Sequence, residues 1–133
     1  TSVALGGATD LLAMRYGVIG YKKLIDVNDD LSDNAITMLS SRYIVDKIVV
    51  ENASISLTTA TAGVFPEAAG AGTALAVDQA LSALTASTKY SALTLAAGVG
   101  TDVNTAATLY FRVGTAQGAA ATVSAWIVGW TVA

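Results

Sequence analysis

The sequence predicts an all-β protein: an antiparallel β-sandwich, jelly-roll-like, preceded by an extended N-terminal arm. Three observations carry this. Runs rich in Ile, Val, Thr and aromatic residues recur roughly every 8–15 residues, with Gly, Asn, Asp or Ser between them. Two of the runs are apolar on both alternating faces, as strands are that meet a core on one side and a neighbour on the other. No succession of strand, helix and strand suggests a parallel sheet. The length of 133 residues fits one domain with a real core.

In chain order, residues 1–20 carry few polar side chains and include Gly6, Gly7, Gly17 and Gly20. A short helical turn over 9–15 and an extended arm are both open, and the arm is preferred; the sandwich then covers 21–133. Residues 21–27 read as a strand. The acidic stretch 26–34, DVNDDLSDN, reads as a turn, because Asp and Asn side chains bond neighbouring backbone groups. Residues 35–39 form a short strand.

The stretch 43–65, YIVDKIVVENASISLTTATAGVF, is the centre of the prediction, with strands over 43–51 and 55–64. Strict alternation puts Ile44, Ile48 and Val50 on one face of the first, and Tyr43, Val45 and Val49 on the other. Pro66, the only proline, ends the second run, and a Gly/Ala-rich loop follows. Residues 73–87 suit a helix by propensity or two short strands, and strands are preferred. Residues 92–97 read as a strand and 98–105 as a loop. In 107–114, Leu109, Phe111 and Val113 face inward while Thr108, Tyr110 and Arg112 face away. The last strand, 121–132, places Val123, Ala125 and Ile127 on one side and Trp126, Val128, Trp130 and Val132 on the other.

Composition excludes several functions. Hydrophobic residues make up 53 % and charged residues 13 %, against roughly 25 % charged in an average domain. Part of the surface is therefore expected under another subunit. A net charge of −3 with scattered basic residues argues against nucleic-acid binding. The chain has no Cys and no His, which removes disulfides, thiolate sites and the commonest general base and metal ligand. No enzyme, cofactor or metal is expected. The acidic stretch lacks the Gly and Glu of an EF-hand, so a solvated turn is preferred to an irregular calcium loop.

Asp46 and Glu51 are five apart and, by alternation, point to opposite faces, unlike a glycosidase pair. The GAGTAL and GVGTD segments lack a P-loop Lys, and Asn52-Ala53-Ser54 is read as a turn. Residues 113–133 carry no charge, yet their apolar part is shorter than a spanning helix, so a buried strand is expected and no membrane.

The segments RYIVDKIVVENASISLTTATAGVF, GTALAV, KYSALTLA and TLYFRVGTAQGAAATVSAWIVG resemble a family of small structural proteins of tailed bacteriophages, over residues 42–129. The first twenty residues lie outside the resemblance. It implies a virion structural protein on the outer surface of the capsid: a head decoration (cement) protein or head-fibre base, a homotrimer bound to the major capsid protein. On that reading, Leu5, Leu11, Leu12, Met14 and Tyr16 belong to a capsid-contacting arm. Tyr43, Val45, Val49, Trp126 and Trp130 supply core and subunit contact. The loops 67–73 and 98–105 face outward. Two alternatives are a fibre or tail-tip module that binds host carbohydrate through Trp126, Trp130 or Tyr110, and a shell-forming coat protein.

Overall fold

The computed structural model describes residues 15–132, apart from 86 and 88. Its eight strands are β1 (Arg15–Asp26), β2 (Asp33–Thr37), β3 (Tyr43–Glu51), β4 (Thr61–Phe65), β5 (Ala76–Ala80), β6 (Tyr90–Ala92), β7 (Thr108–Thr115) and β8 (Thr122–Thr131), with one 3₁₀ turn at Ala68–Gly70. They form two four-stranded antiparallel sheets packed as a sandwich. Sheet A has the order β1-β8-β3-β6, and sheet B the order β2-β7-β4-β5. Each strand pairs with the one equally far from the β4–β5 hairpin: β1 with β8, β2 with β7, β3 with β6.

The core lies between the sheets. Tyr43, Val45, Ile48 and Val50 of β3 and Val123, Ala125 and Ile127 of β8 meet Leu109, Phe111 and Val113 of β7. The regular alternation of β7 and β8 appears as the sequence predicts. Where the fold departs from expectation, charge and partnering explain it. In β3 the register slips between Val45 and Lys47 against β8. This bulge brings Tyr43 and Val45 onto the same inward face as Ile48 and Val50, and leaves Ile44 and Val49 half-buried on the outer side. Strict alternation would have pointed either Asp46 or Lys47 into the core. The extra residue keeps both out, which avoids burying a charge.

Residues 55–60 are not strand, although Leu57 and Ala60 are buried. They form no regular ladder: the Leu57 N–H donates to the Leu84 carbonyl and the Leu81 N–H to the Ala60 carbonyl, both at 3.0 Å, and one side chain, described below, accepts three more of their N–H groups. Among the described residues of 73–87 only β5 is regular, and Leu81 and Leu84 enter the core from turns. The strand expected at 92–97 shrinks to β6 and lies two residues earlier. The uncharged stretch 113–133 contains β8, which sits between β1 and β3. No helix among the described residues is long and apolar enough to cross a membrane.

The boundary at residue 20 falls inside β1. Residues 15–20 pair with β8, from Arg15 opposite Thr131 to Gly20 opposite Ile127. Tyr16 is thus part of sheet A and not of an arm, because its strand continues the ladder. Leu5, Leu11, Leu12 and Met14 lie outside the described residues.

Buried Tyr43 donates its hydroxyl to the Ala106 carbonyl at 2.7 Å. Burial pushes its phenol up to about 12. The folded value exceeds the ordinary value of 10, so this residue's contribution is complete below pH 10 and is lost as pH rises toward 12. An alkaline limb in urea-monitored stability over that window is the expected result. Tyr43→Phe should flatten it while costing about 1 kcal/mol at pH 7 for the lost hydrogen bond.

Candidate interaction face

The two outer faces of the sandwich differ in chemistry. On sheet B, the Asp33 carboxylate accepts from the Arg112 guanidinium at 3.0 Å, and its other oxygen accepts from the Ala69 N–H at 2.8 Å. The 66–72 loop is thereby tied down beside Arg112. Thr37, Thr108, Ala35 and Tyr110 continue this face.

The outer face of sheet A carries three rows set by the pairing of β1, β8 and β3. Tyr16, Trp130 and Ile44 form one; Val18, Val128 and Lys47 the next; Tyr21, Trp126 and Val49 the third. Tyr16, Val18 and Tyr21 are 52 %, 47 % and 56 % exposed. Trp126 and Trp130 are half-buried, each against a tyrosine. Tyr16 meets Trp130 at 4.9 Å between ring centres with the planes tilted 58°, and Tyr21 stacks on Trp126 at 5.0 Å and 19°. Such pairs contribute on the order of 1 kcal/mol beyond burial.

Polar groups fix these rings. The Tyr16 hydroxyl donates to Asp46 Oδ2 at 2.6 Å, and Trp126 Nε1–H donates to Glu51 Oε1 at 2.6 Å. The hydrogen bond to the Asp46 carboxylate raises the Tyr16 phenol above its ordinary value, with smaller contributions from desolvation and from the carboxylate's charge. Lys23 Nζ lies 5.9 Å from the Trp126 ring centre. The face thus carries both signs of charge: Lys23 and Lys47 against Asp46 and Glu51, with Asp26 at its end opposite Thr122.

A cleft of about 540 Å³ opens at the margin of this face, lined by Val18, Ile19, Gly20, Tyr21, Trp126 and the 37–39 segment. Gly20 makes room for Met38: a Cβ there would lie 2.8 Å from the Met38 sulfur.

Of the residues expected at a subunit interface, Val49, Trp126 and Trp130 share the outer face of sheet A. Tyr43 and Val45 do not: the β3 bulge turns both into the domain's own core, where they are fully buried. Alternation missed Ile44, Val18 and Tyr21. A second irregularity between Val18 and Gly20 puts Tyr21 on the same side as Tyr16 and Val18. Asp46 and Glu51 also reach the same face, contrary to expectation, because the bulge changes their phase. They remain separated by on the order of 13 Å of strand, beyond the roughly 5–9.5 Å of a glycosidase pair, and each holds a ring.

The acidic stretch is a hydrogen-bonding clamp. Asn28 Oδ1 accepts from the Gly118 N–H and Asp30 Oδ1 from the Ala116 N–H, both at 2.8 Å. Asp26 Oδ1 accepts from the Asn28 N–H at 2.8 Å. Among the described residues, no group of three or more acidic side chains is placed to hold a metal ion. Millimolar calcium is accordingly expected to leave Tm unchanged in a thermal melt.

Comparison with protein-family models, curated proteins and solved structures returned no match.

Proposed function

We propose that this chain is a structural virion subunit: a capsid decoration (cement) protein that associates with sister copies as a trimer, through the outer face of sheet A, and binds the assembled phage head. The observation that carries the assembly part is the contrast between the two sheets. Sheet B's outer face is broken up: Tyr110, Phe65 and exposed Val77 are set among threonines and the Asp33–Arg112 ion pair, and its own 66–72 loop is tied down beside Arg112. Sheet A presents Tyr16, Val18, Tyr21, Ile44, Val49 and Trp130 on one continuous face that carries charges of both signs. Aromatic and aliphatic residues at the centre with charged groups around them match the composition of protein–protein interfaces. The capsid is supplied by the resemblance over residues 42–129.

A cement protein acts by mass action. It binds the closed shell and not separated capsid subunits, and so stabilises the shell by its own binding free energy. A carbohydrate-binding role is less well supported. The Trp126 ring is covered by Tyr21 and approached by Lys23, and Tyr110 lies on the opposite sheet.

The test is co-sedimentation with shells stripped of this protein and, separately, with dissociated capsid subunits. Saturable binding to shells alone, at a copy number matched to capsomers, is expected. Equal binding to both, no binding, or closed shells formed by this chain alone would overturn the reading.

A further inference from the structure

We propose that the cleft beside β1 receives the apolar N-terminal segment of a sister copy, through Leu11, Leu12 and Met14, so that subunits are linked by exchanged arms. The inference deepens the self-association proposed above and rests on it.

The cleft is a built apolar receptacle. Its about 540 Å³ falls within the roughly 300–1,000 Å³ of sites that hold a compact ligand. Leu39, 74 % exposed, stands on its rim with Val18 and Tyr21. It is continuous with the proposed interface, because Val18, Tyr21 and Trp126 line both.

The occupant follows from the chain itself. Residues 1–14 precede β1 and span up to about 46–50 Å when extended. Their large apolar side chains are concentrated just before Arg15, at Leu11, Leu12 and Met14, with Leu5 further back. They carry one charged side chain, Asp10.

Geometry disfavours filling the cleft from the same chain. Arg15 and Tyr16 are already extended and paired with Thr131 and Trp130. A return along β1 would have to turn at residues 13 and 14, placing Leu12 and Leu11 beside Arg15 and Tyr16. Opposite Val18 to Tyr21 would then come Thr9, Ala8, Gly7 and Gly6, which have no large apolar side chain to insert. The Ile19 carbonyl is also taken, accepting from the Leu39 N–H at 2.8 Å. A segment from a neighbouring copy is not bound to that register; it meets the same occupied Ile19 carbonyl and enters through its apolar side chains.

The chain has no cysteine, so paired cysteines report the contact cleanly. Full-length Leu12→Cys and Leu39→Cys proteins are mixed without shells and mildly oxidised. A disulfide-linked dimer on a non-reducing gel is expected. The pair Leu12→Cys with Val77→Cys, on sheet B, should give little. Sedimentation of Leu39→Asp, whose exposed side chain spares the core, should show self-association weakened at least tenfold.

No linked dimer above the Val77 control, or closure only within a chain carrying both Leu12→Cys and Leu39→Cys, overturns arm exchange. Unchanged association of Leu39→Asp does the same. Shell binding is measured separately, so arm exchange can fail while the decoration reading stands.

Discussion

Replacing Gln117 with alanine is expected to lower the unfolding free energy by about 3 kcal/mol. Gln117 is 9 % exposed. Its Oε1 accepts three successive backbone N–H groups, from Thr58, Thr59 and Ala60, each at 3.0 Å. Its Nε2 donates to Thr58 Oγ1 at 3.0 Å, and its own N–H donates to the Val27 carbonyl at 2.9 Å.

One carboxamide therefore takes the place of a ladder partner for residues 58–60, and the acidic clamp at Asn28 and Asp30 holds the same turn from the other side. Alanine would leave three inward-facing donors without an acceptor, and each unsatisfied buried donor costs about 1–3 kcal/mol, less where water can enter. The lower part of that range is used because only the Ala60 bond is fully buried. Urea denaturation should show the loss, and hydrogen exchange should quicken at the amides of 58–60 before it does in β7 or β8. Gln117→Glu keeps the acceptor and should lose less at pH 7, with the Thr58 hydroxyl able to donate to the second oxygen. A Gln117→Ala midpoint within error of the wild type would mean this loop is held by something else.

Gly129→Ala is expected to cost a similar amount, about 3 kcal/mol, by a different mechanism. Gly129 lies in β8 opposite Val45 of β3 and Gly17 of β1. The β3 bulge follows immediately after Val45, and it presses the β3 backbone toward this position. A Cβ on residue 129 would collide with the Ile44 carbonyl oxygen and lie 3.0 Å from the Asp46 N. Both obstacles are backbone, so they cannot swing aside as a side-chain end would. Relief requires β3 to move, which would disturb Tyr43 and Val45 in the core and Ile44 on the outer face. A fall in Tm on the order of 10 °C follows for a domain of this size. Gly17→Ala, on the neighbouring strand, is the matched control. A Cβ there meets nothing within 4 Å, and a change of less than about 0.5 kcal/mol is expected. Equal behaviour of the two variants would refute the steric account.

The interaction face was only partly legible in the sequence. The Trp126 and Trp130 pair could be read from β8, because an uninterrupted strand keeps its two-residue period from end to end. The opposing strands could not be phased the same way. Two of the five interface residues read from alternation, Tyr43 and Val45, lie before the β3 bulge and turn out to fill the core. Alternation groups Ile44 with Ile48 and Val50, whereas the bulge puts it on the outer side with Val49. Tyr21 lies beyond an irregularity in β1, so its spacing from Val18 is odd and still it shares a face with Tyr16 and Val18. The adjacent charges Asp46 and Lys47 carry a signal of the bulge. Two opposite charges side by side in an otherwise apolar strand cannot both avoid the core without an extra residue.

What the sequence determined by itself was the all-β sandwich and its most regular strands. The spacing of Leu109, Phe111 and Val113 and of Val123, Ala125 and Ile127 leaves little choice, because a period of two fits only a strand with one face buried. Tertiary structure alone decided which strands lie side by side, where β1 and β3 slip their phase, and how residues 58–60 obtain their hydrogen bonds. Those outcomes depend on contacts between residues tens of positions apart, such as Gln117 with Ala60 and Gly129 with Ile44, and local patterns carry no record of them.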